Sequence, residues 1–238
     1  MIDLKSLVSL PTYTTVIPST GKKVSYRPFV VKEEKTLLIA KESGNLEQIT
    51  NSVQEVMNSC FKEVLNIKDM PYFDSEFLFT QLRMKSMGEV VEIVVRDSAT
   101  NEKFDTEMRL ENIKIINLDK NKLSFDIKMN DTFGVVMKYP PLTVFSGIQL
   151  NLTEFDSLYK VLAQCIDKIY TKDEVTLAKD IPIEQIEEFL QTLTKDMFTK
   201  IASFFKDMPK VIYEDEFVSP STGNKIPIRI ENFKDFFL

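Results

Sequence analysis

Hydrophobic and polar residues alternate along short stretches at both ends of the chain, which predicts two β-hairpins. A strand at 13–17 enters a Pro-Ser-Thr-Gly turn at 18–21, and alternation resumes after the turn. The same four residues stand at 220–223, between alternating stretches at 211–218 and 225–230. Pro presets φ at the first corner of such a turn, and Gly accepts the positive φ that closes it.

The two turn regions match at one constant offset beyond the four turn residues. Lys23 corresponds to Lys225, and Arg27 corresponds to Arg229. We interpret the match as a structural repeat, so that the two hairpins are equivalent. The alternative is a chance match of a common turn.

Between the hairpins, apolar residues recur at helical spacing in several segments. Leu37, Leu38 and Ile39 are expected to face inward in the first helix, and Asp74 is expected to cap the third helix. The last segment forms either one long helix or two helices with a break near Thr194. The predicted helices span 31–42, 46–65, 74–87, 153–169 and 183–205.

The middle of the chain has strand character, with polar turns between the strands. One face of the segment 123–129 is apolar and the other is polar without exception, which is typical of an antiparallel meander with one wet face. The predicted strands span 90–96, 104–118, 123–129 and 134–139. The prediction is therefore an α+β fold with terminal β-hairpins, two helical segments and a central antiparallel β-meander.

The same patterns divide the chain into three segments. Residues 1–88 would form the N-terminal hairpin with its helices, 89–148 the meander, and 149–238 the remaining helices with the C-terminal hairpin. With 238 residues, the chain is long enough for one compact unit or two that pack closely.

The composition of the chain excludes several classes of partner and of catalytic site. The net charge of −6 argues against nucleic acid or an anionic membrane as the main partner, and no apolar run is long enough to span a bilayer. The chain has no histidine, which removes Ser-His-Asp and Cys-His nucleophiles and His-ligated zinc. Cys60 and Cys165 lie on apolar helical stripes, so buried free thiols are expected rather than a disulfide.

Two groups of side chains are candidates for partner binding. The run Lys32, Glu33, Glu34 and Lys35 is either a solvated first helical turn or a docking face that continues onto the first hairpin. An apolar C-terminus must dock on its own domain or on another subunit. The candidate partner-binding residues are Lys22, Lys23, Arg27, Lys32, Glu33, Glu34, Lys35, Arg229, Phe233, Phe236 and Phe237.

No residue pattern nominates a catalytic, metal or cofactor site. The turn at 18–21 and the lysines after it lack the upstream glycine and the final hydroxyl of a phosphate-binding loop. In the acidic run 214–216, Glu214 and Glu216 would share one face of a strand and Asp215 would take the other, so the carboxylates do not converge. We therefore expect no enzyme activity, no metal and no cofactor.

Three stretches resemble a known family. The run PSTGKKVSYRPFVVKEEK at 18–35, the run FLFTQLRMKSMGE at 77–89 and the ending with DMPK at 207–210 are similar to baseplate hub proteins of T-even-like contractile-tailed phages. The resemblance covers the N-terminal third and about the last thirty residues.

This resemblance implies a role in the phage baseplate hub or central spike without catalysis, through binding to other hub or tail proteins. It leaves open a structural subunit of the virion or a transient chaperone for the hub or tape-measure protein, and it also leaves open homo-oligomerisation. The implied location is the host cytoplasm during assembly, with the virion tail as the further possibility. The alternative from another class is a lytic enzyme that uses paired carboxylates.

Overall fold

The computed structural model describes residues 8–119, 125–145 and 155–231, and these residues form small antiparallel sheets and short helices. The helices are α1 (Val31–Ser43), α2 (Leu46–Cys60), α3 (Tyr72–Met87), α4 (Phe155–Cys165), α5 (Ile183–Thr192) and α6 (Lys195–Ala202). The strands are β1 (Tyr13–Val16), β2 (Lys23–Tyr26), β3 (Val90–Arg96), β4 (Lys103–Arg109), β5 (Lys114–Ile116), β6 (Phe125–Lys128), β7 (Phe133–Met137), β8 (Ile166–Thr171), β9 (Val175–Leu177), β10 (Lys210–Val218) and β11 (Lys225–Ile230). The α+β class and the two terminal hairpins are confirmed.

The central strands are antiparallel, as predicted, but they are divided among three sheets. Strands β3 and β4 form a two-stranded sheet, whereas β5 joins the C-terminal hairpin in the order β11-β10-β5. A 3₁₀ turn at Leu110–Asn112 interrupts the expected long strand 104–118, because Leu110 turns into the core and is fully buried. This turn directs β5 away from β4 and towards β10.

Strands β6 and β7 extend into a four-stranded sheet with β8 and β9. The pattern predicted helix as far as 169, but α4 ends at Cys165 and Ile166 begins β8. The backbone of β8 pairs with β7, and the N–H of Lys138 donates to the carbonyl of Cys165 at 2.7 Å. Pairing with two neighbouring strands therefore outweighs the helical spacing of two isoleucines in this segment.

Two helix details differ from the prediction, and the structure decides a third that the pattern left open. Helix α2 ends at Cys60 rather than 65, because Phe61 leaves the helix to form a β-bridge with Tyr26, and Val64 is fully exposed. Helix α3 begins at Tyr72 after Pro71, so Asp74 lies within the first turn and is not the cap. In the C-terminal part, Thr194 caps α6, so the segment forms two helices.

Two hydrophobic cores meet at α3. The first core contains the N-terminal hairpin and the inner faces of α1 and α2, and Leu78 and Leu82 of α3 pack into it. The second contains the sheet strands with α4, α5 and α6, and Phe73 and Met84 pack into it from α3. Because α3 serves both cores, it is buried on most of its circumference. The division at residue 88 stays a prediction.

Candidate partner-binding surfaces

The two terminal hairpins have the same backbone geometry. Val16 pairs with Lys23 in the first, and Val218 pairs with Lys225 in the second, with the same register continuing along both ladders. In both turns the glycine has φ of 70° and donates its N–H to the residue four positions earlier at 2.8 Å. The predicted equivalence of the hairpins is therefore confirmed.

A third turn of the same type closes the β3–β4 hairpin, and sequence reasoning missed it. The N–H of Asp97 donates to the carbonyl of Glu102 at 2.9 Å, and Asn101 takes the glycine position with φ of 64°. Asn tolerates this left-handed conformation because its short polar side chain can bond locally. The three turns share a four-residue sequence pattern: Thr, then Gly or Asn, then any residue, then Lys. This pattern stands at 20–23, 100–103 and 222–225.

Buried aspartates hold the two Pro-Ser-Thr-Gly turns. Asp74 accepts from the backbone N–H of Ser19 at 2.9 Å and also from the Ser19 hydroxyl. Asp97 accepts from the Thr222 hydroxyl at 2.8 Å, so the β3–β4 turn docks on the C-terminal turn. Both turns are therefore fixed parts of the fold.

The two aspartates have pKa shifts of opposite sign. Burial raises the pKa of Asp74 to about 6, although the two hydrogen bonds from Ser19 oppose the shift. Hydrogen bonds from Ser219, the Ala99 backbone and Thr222 hold the pKa of Asp97 below its usual value.

Arg27 and Glu33 form an internal clamp. The guanidinium of Arg27 contacts the Glu33 carboxylate at 2.8 Å and donates to the carbonyls of Pro28 and Ser59. Glu33 also accepts from the N–H of Val30, which precedes α1, at 2.8 Å. The hydrogen bond to Glu33 raises the pKa of Arg27, and the clamp ties the first hairpin to α1 and α2.

Arg229, at the matching position of the second hairpin, is exposed. Its guanidinium contacts Glu214 on the neighbouring strand at 2.6 Å and also contacts Glu231. In the acidic run of β10, Glu216 contacts Lys225 at 2.6 Å, and Asp215 accepts from the Tyr213 hydroxyl at 2.7 Å. As expected, these carboxylates do not converge.

Helix α1 presents an exposed apolar stripe that the pattern did not predict. Leu37 and Ala40 are buried, but Leu38 and Ile39, which were expected inside, are 49% and 57% exposed. Val31, the first residue of the helix, is 79% exposed. Positions 31, 38 and 39 share one side of a helix of 3.6 residues per turn, opposite the buried side. We name Val31, Leu38 and Ile39 the α1 stripe.

The remaining predicted residues fall into three groups. Lys32 and Lys35 are exposed on α1 and Glu34 is half-buried, while Lys22 and Lys23 are exposed at the first turn. Arg27 and Glu33 are bonded to each other, as described above. The predicted residues Phe233, Phe236 and Phe237 lie outside the described residues.

The described part of the chain was also searched for metal ligands, free thiols and membrane-spanning helices. Within 8–119, 125–145 and 155–231, no three His, Cys, Asp or Glu residues form a group that could hold a metal ion. Cys60 and Cys165 are buried free thiols, as predicted, and burial raises the pKa of both. None of the helices in these ranges has the length and apolar character needed to cross a membrane.

Comparison with known proteins identifies the family. The family model described as T4 bacteriophage base plate protein matches residues 10–238, which is nearly the whole chain. The chain belongs to this family. A curated relative in this comparison is the baseplate hub assembly protein gp26 of Enterobacteria phage T4, which is 23% identical over 223 residues. The match covers 91% of this chain and 93% of the relative, whereas no solved structure matches.

Proposed function

We propose that this base plate family protein acts in assembly of the phage baseplate hub by binding other baseplate proteins, without catalysis. The observation that carries the proposal is the match, over nearly the full length of both chains, to a relative named as a baseplate hub assembly protein. The absence of histidine and the separate partners of the β10 carboxylates agree with a role in binding rather than in chemistry.

We propose the α1 stripe, together with its neighbouring lysines, as the principal docking surface. Val31, Leu38 and Ile39 expose apolar side chains on the outer side of a helix, and such exposed groups commonly mark contact sites. Lys32, Lys35 and Glu42 are exposed on the same helix and place charges of both signs beside these side chains. A partner with an apolar centre and a charged rim would fit this surface.

A pair of variants tests the surface. Leu38→Asp places a charge in the α1 stripe, and Val175→Asp places the same charge at an exposed valine in β9. Neither should lower the midpoint of urea unfolding by much, because both sites are exposed. Leu38→Asp should abolish complementation of a phage lacking this protein, whereas Val175→Asp should support it. Equal complementation by both variants would reject the α1 stripe.

Mass spectrometry of purified virions distinguishes the two forms that the proposed role can take, a structural subunit and a transient chaperone. A structural subunit should be present at fixed stoichiometry with other hub proteins, whereas a transient chaperone should be absent. A zymogram on host cell wall tests the lytic alternative, because clearing by the purified protein would reject the proposal of a purely binding role.

A further inference from the structure

The outer edge of the first hairpin is already paired within the molecule. Beyond β2, the N–H of Arg27 donates to the carbonyl of Cys60 at 3.0 Å, and the N–H of Lys62 donates to the carbonyl of Ser25 at 2.9 Å. Between these two bonds, Tyr26 lies opposite Phe61, with ring centroids 5.3 Å apart. Two backbone bonds and one apolar pair therefore cover this edge.

The equivalent edge of the second hairpin is open in the described part of the chain, where β11 pairs with β10 alone. The N–H of Ser219 donates to the carbonyl of Asn224, so backbone groups that point away from β10 belong to alternate residues from Lys225 onward. The outward groups at the positions of Arg27 and Ser25 are the N–H of Arg229 and the carbonyl of Pro227.

Pro227 removes no bond that the paired edge of the first hairpin uses. At the matching position, the N–H of Ser25 donates to the side chain of Glu63 at 2.7 Å and not to the opposing backbone. A proline in the middle of an edge strand normally discourages pairing with other strands. Here it removes one outward N–H at the centre of the edge, so the central bonds to a pairing strand must run from the N–H of Arg229 and to the carbonyl of Pro227.

We propose that β11 is a self-complementary edge, through which two copies of this chain pair antiparallel. With Ile228 opposite Ile228 of the second copy, each Arg229 N–H faces the carbonyl of Pro227 across the two-fold axis. The two-fold axis makes this bond twice, and the two bonds correspond to the two that cover the edge of the first hairpin. The pairing joins the two three-stranded sheets into one of six strands.

The side chains in this register are also complementary. Ile226 lies opposite Ile230 of the second copy, and both are half-buried on the side of β11 that faces the core. Lys225 lies opposite Glu231 of the second copy, so each end of the strand pair gains an opposite charge. These charges add to the contacts within one chain, where Lys225 contacts Glu216 and Glu231 contacts Arg229 and Lys210. Moving the register to place Pro227 opposite Pro227 would set Lys225 against Arg229 and leave the central pair of residues without an N–H donor, which disfavours it.

The pairing uses one strand per copy, which is a small contact compared with those of stable dimers. We therefore expect a dimer that dissociates on dilution. Sedimentation velocity of the full-length protein at increasing concentration should show conversion of monomer to dimer. Amide hydrogen exchange should show that the Arg229 N–H becomes protected as the dimer forms.

Two sets of variants test the register. Arg229→Pro removes the outward N–H and leaves the β10–β11 bonds intact, so it should prevent dimerisation, whereas Arg229→Ala keeps the N–H and should still dimerise. Lys225→Glu and Glu231→Lys should each weaken the dimer roughly tenfold, because each makes two like-charge pairs, and the double exchange should restore it.

A protein that stays monomeric at every concentration would refute the pairing, and so would a dimer that Arg229→Pro and the charge exchange leave unchanged. If Arg229→Pro blocks entry into the hub while the wild-type protein is monomeric, the edge binds another baseplate protein and self-pairing is also refuted. Because the inference goes beyond the role in hub assembly, a monomer that still complements the phage leaves that role intact.

Discussion

Replacement of Asp74 by asparagine tests how the first hairpin is held against α3. Asp74 is fully buried, and its pKa rises from 3.8 to about 6 because burial disfavours the carboxylate. A group whose pKa is higher in the folded state favours folding when protonated. The folded state therefore loses stability as pH rises from about 4 through 6.

The size of the effect follows from the shift. A difference of about 2 units at about 1.4 kcal/mol per unit corresponds to roughly 3 kcal/mol at pH 8, and to less than about 1 kcal/mol at pH 4. The asparagine of the variant would be neutral throughout, and its amide could still bond to the backbone and hydroxyl of Ser19. Asp74→Asn should therefore be more stable than the wild type at pH 8 and nearly equal at pH 4.

Urea unfolding at the two pH values measures this difference, and subtraction of the wild-type free energy cancels the other titrating groups. Asp97→Asn is the matched control, because hydrogen bonds lower the pKa of Asp97 and the sign reverses. Asp97→Asn should lose stability at pH 8 relative to the wild type. If Asp74→Asn destabilised the protein equally at both pH values, the hydrogen bonds from Ser19 would outweigh burial and the reasoning would be wrong.

Further predictions concern the hairpins and the four-stranded sheet. Arg27→Ala should lower the free energy of unfolding by about 1–3 kcal/mol, because it breaks the half-buried clamp with Glu33. Arg229→Ala should have a much smaller effect, because the contacts of Arg229 with Glu214 and Glu231 are exposed to solvent. Chemical denaturation would show the difference, and equal losses would contradict it. Gly134→Ala should cost about 1 kcal/mol, because a Cβ would push the end of the Tyr170 ring on the neighbouring strand away from its hydrogen bond with Asp126. The cost should nearly vanish in a Tyr170→Ala background, and a cost that persists there would exclude the ring as its cause. Gly223→Ala should cost about 1 kcal/mol at its positive φ, and Gly223→Asn should cost less; the order of their melting temperatures is the test.

The local elements were predictable where short-range chemistry decides them. The Pro-Ser-Thr-Gly turns need a positive φ that Gly supplies, so the sequence located both terminal hairpins and their common register. Thr194 caps a helix by accepting from the Met197 N–H, which agrees with the break that the pattern offered there as one of two alternatives. The third turn escaped notice because Asn101 performs the role of glycine.

Only the tertiary structure decided which strands pair and which side chains stay exposed. The spacing of Ile166 and Ile169 fits a helix, but both residues lie in β8, which pairs with β7. That pairing cannot be read from the positions of the two residues in the sequence. Leu38 and Ile39 are as apolar as Leu37, yet only Leu37 shares a core with α2, and the other two stay exposed. The sequence by itself determined the two Pro-Ser-Thr-Gly turns and the lack of histidine chemistry, since these depend on the residues present and their immediate neighbours. Long-range packing determined the sheet order, the buried Asp74 and the surfaces left for partners.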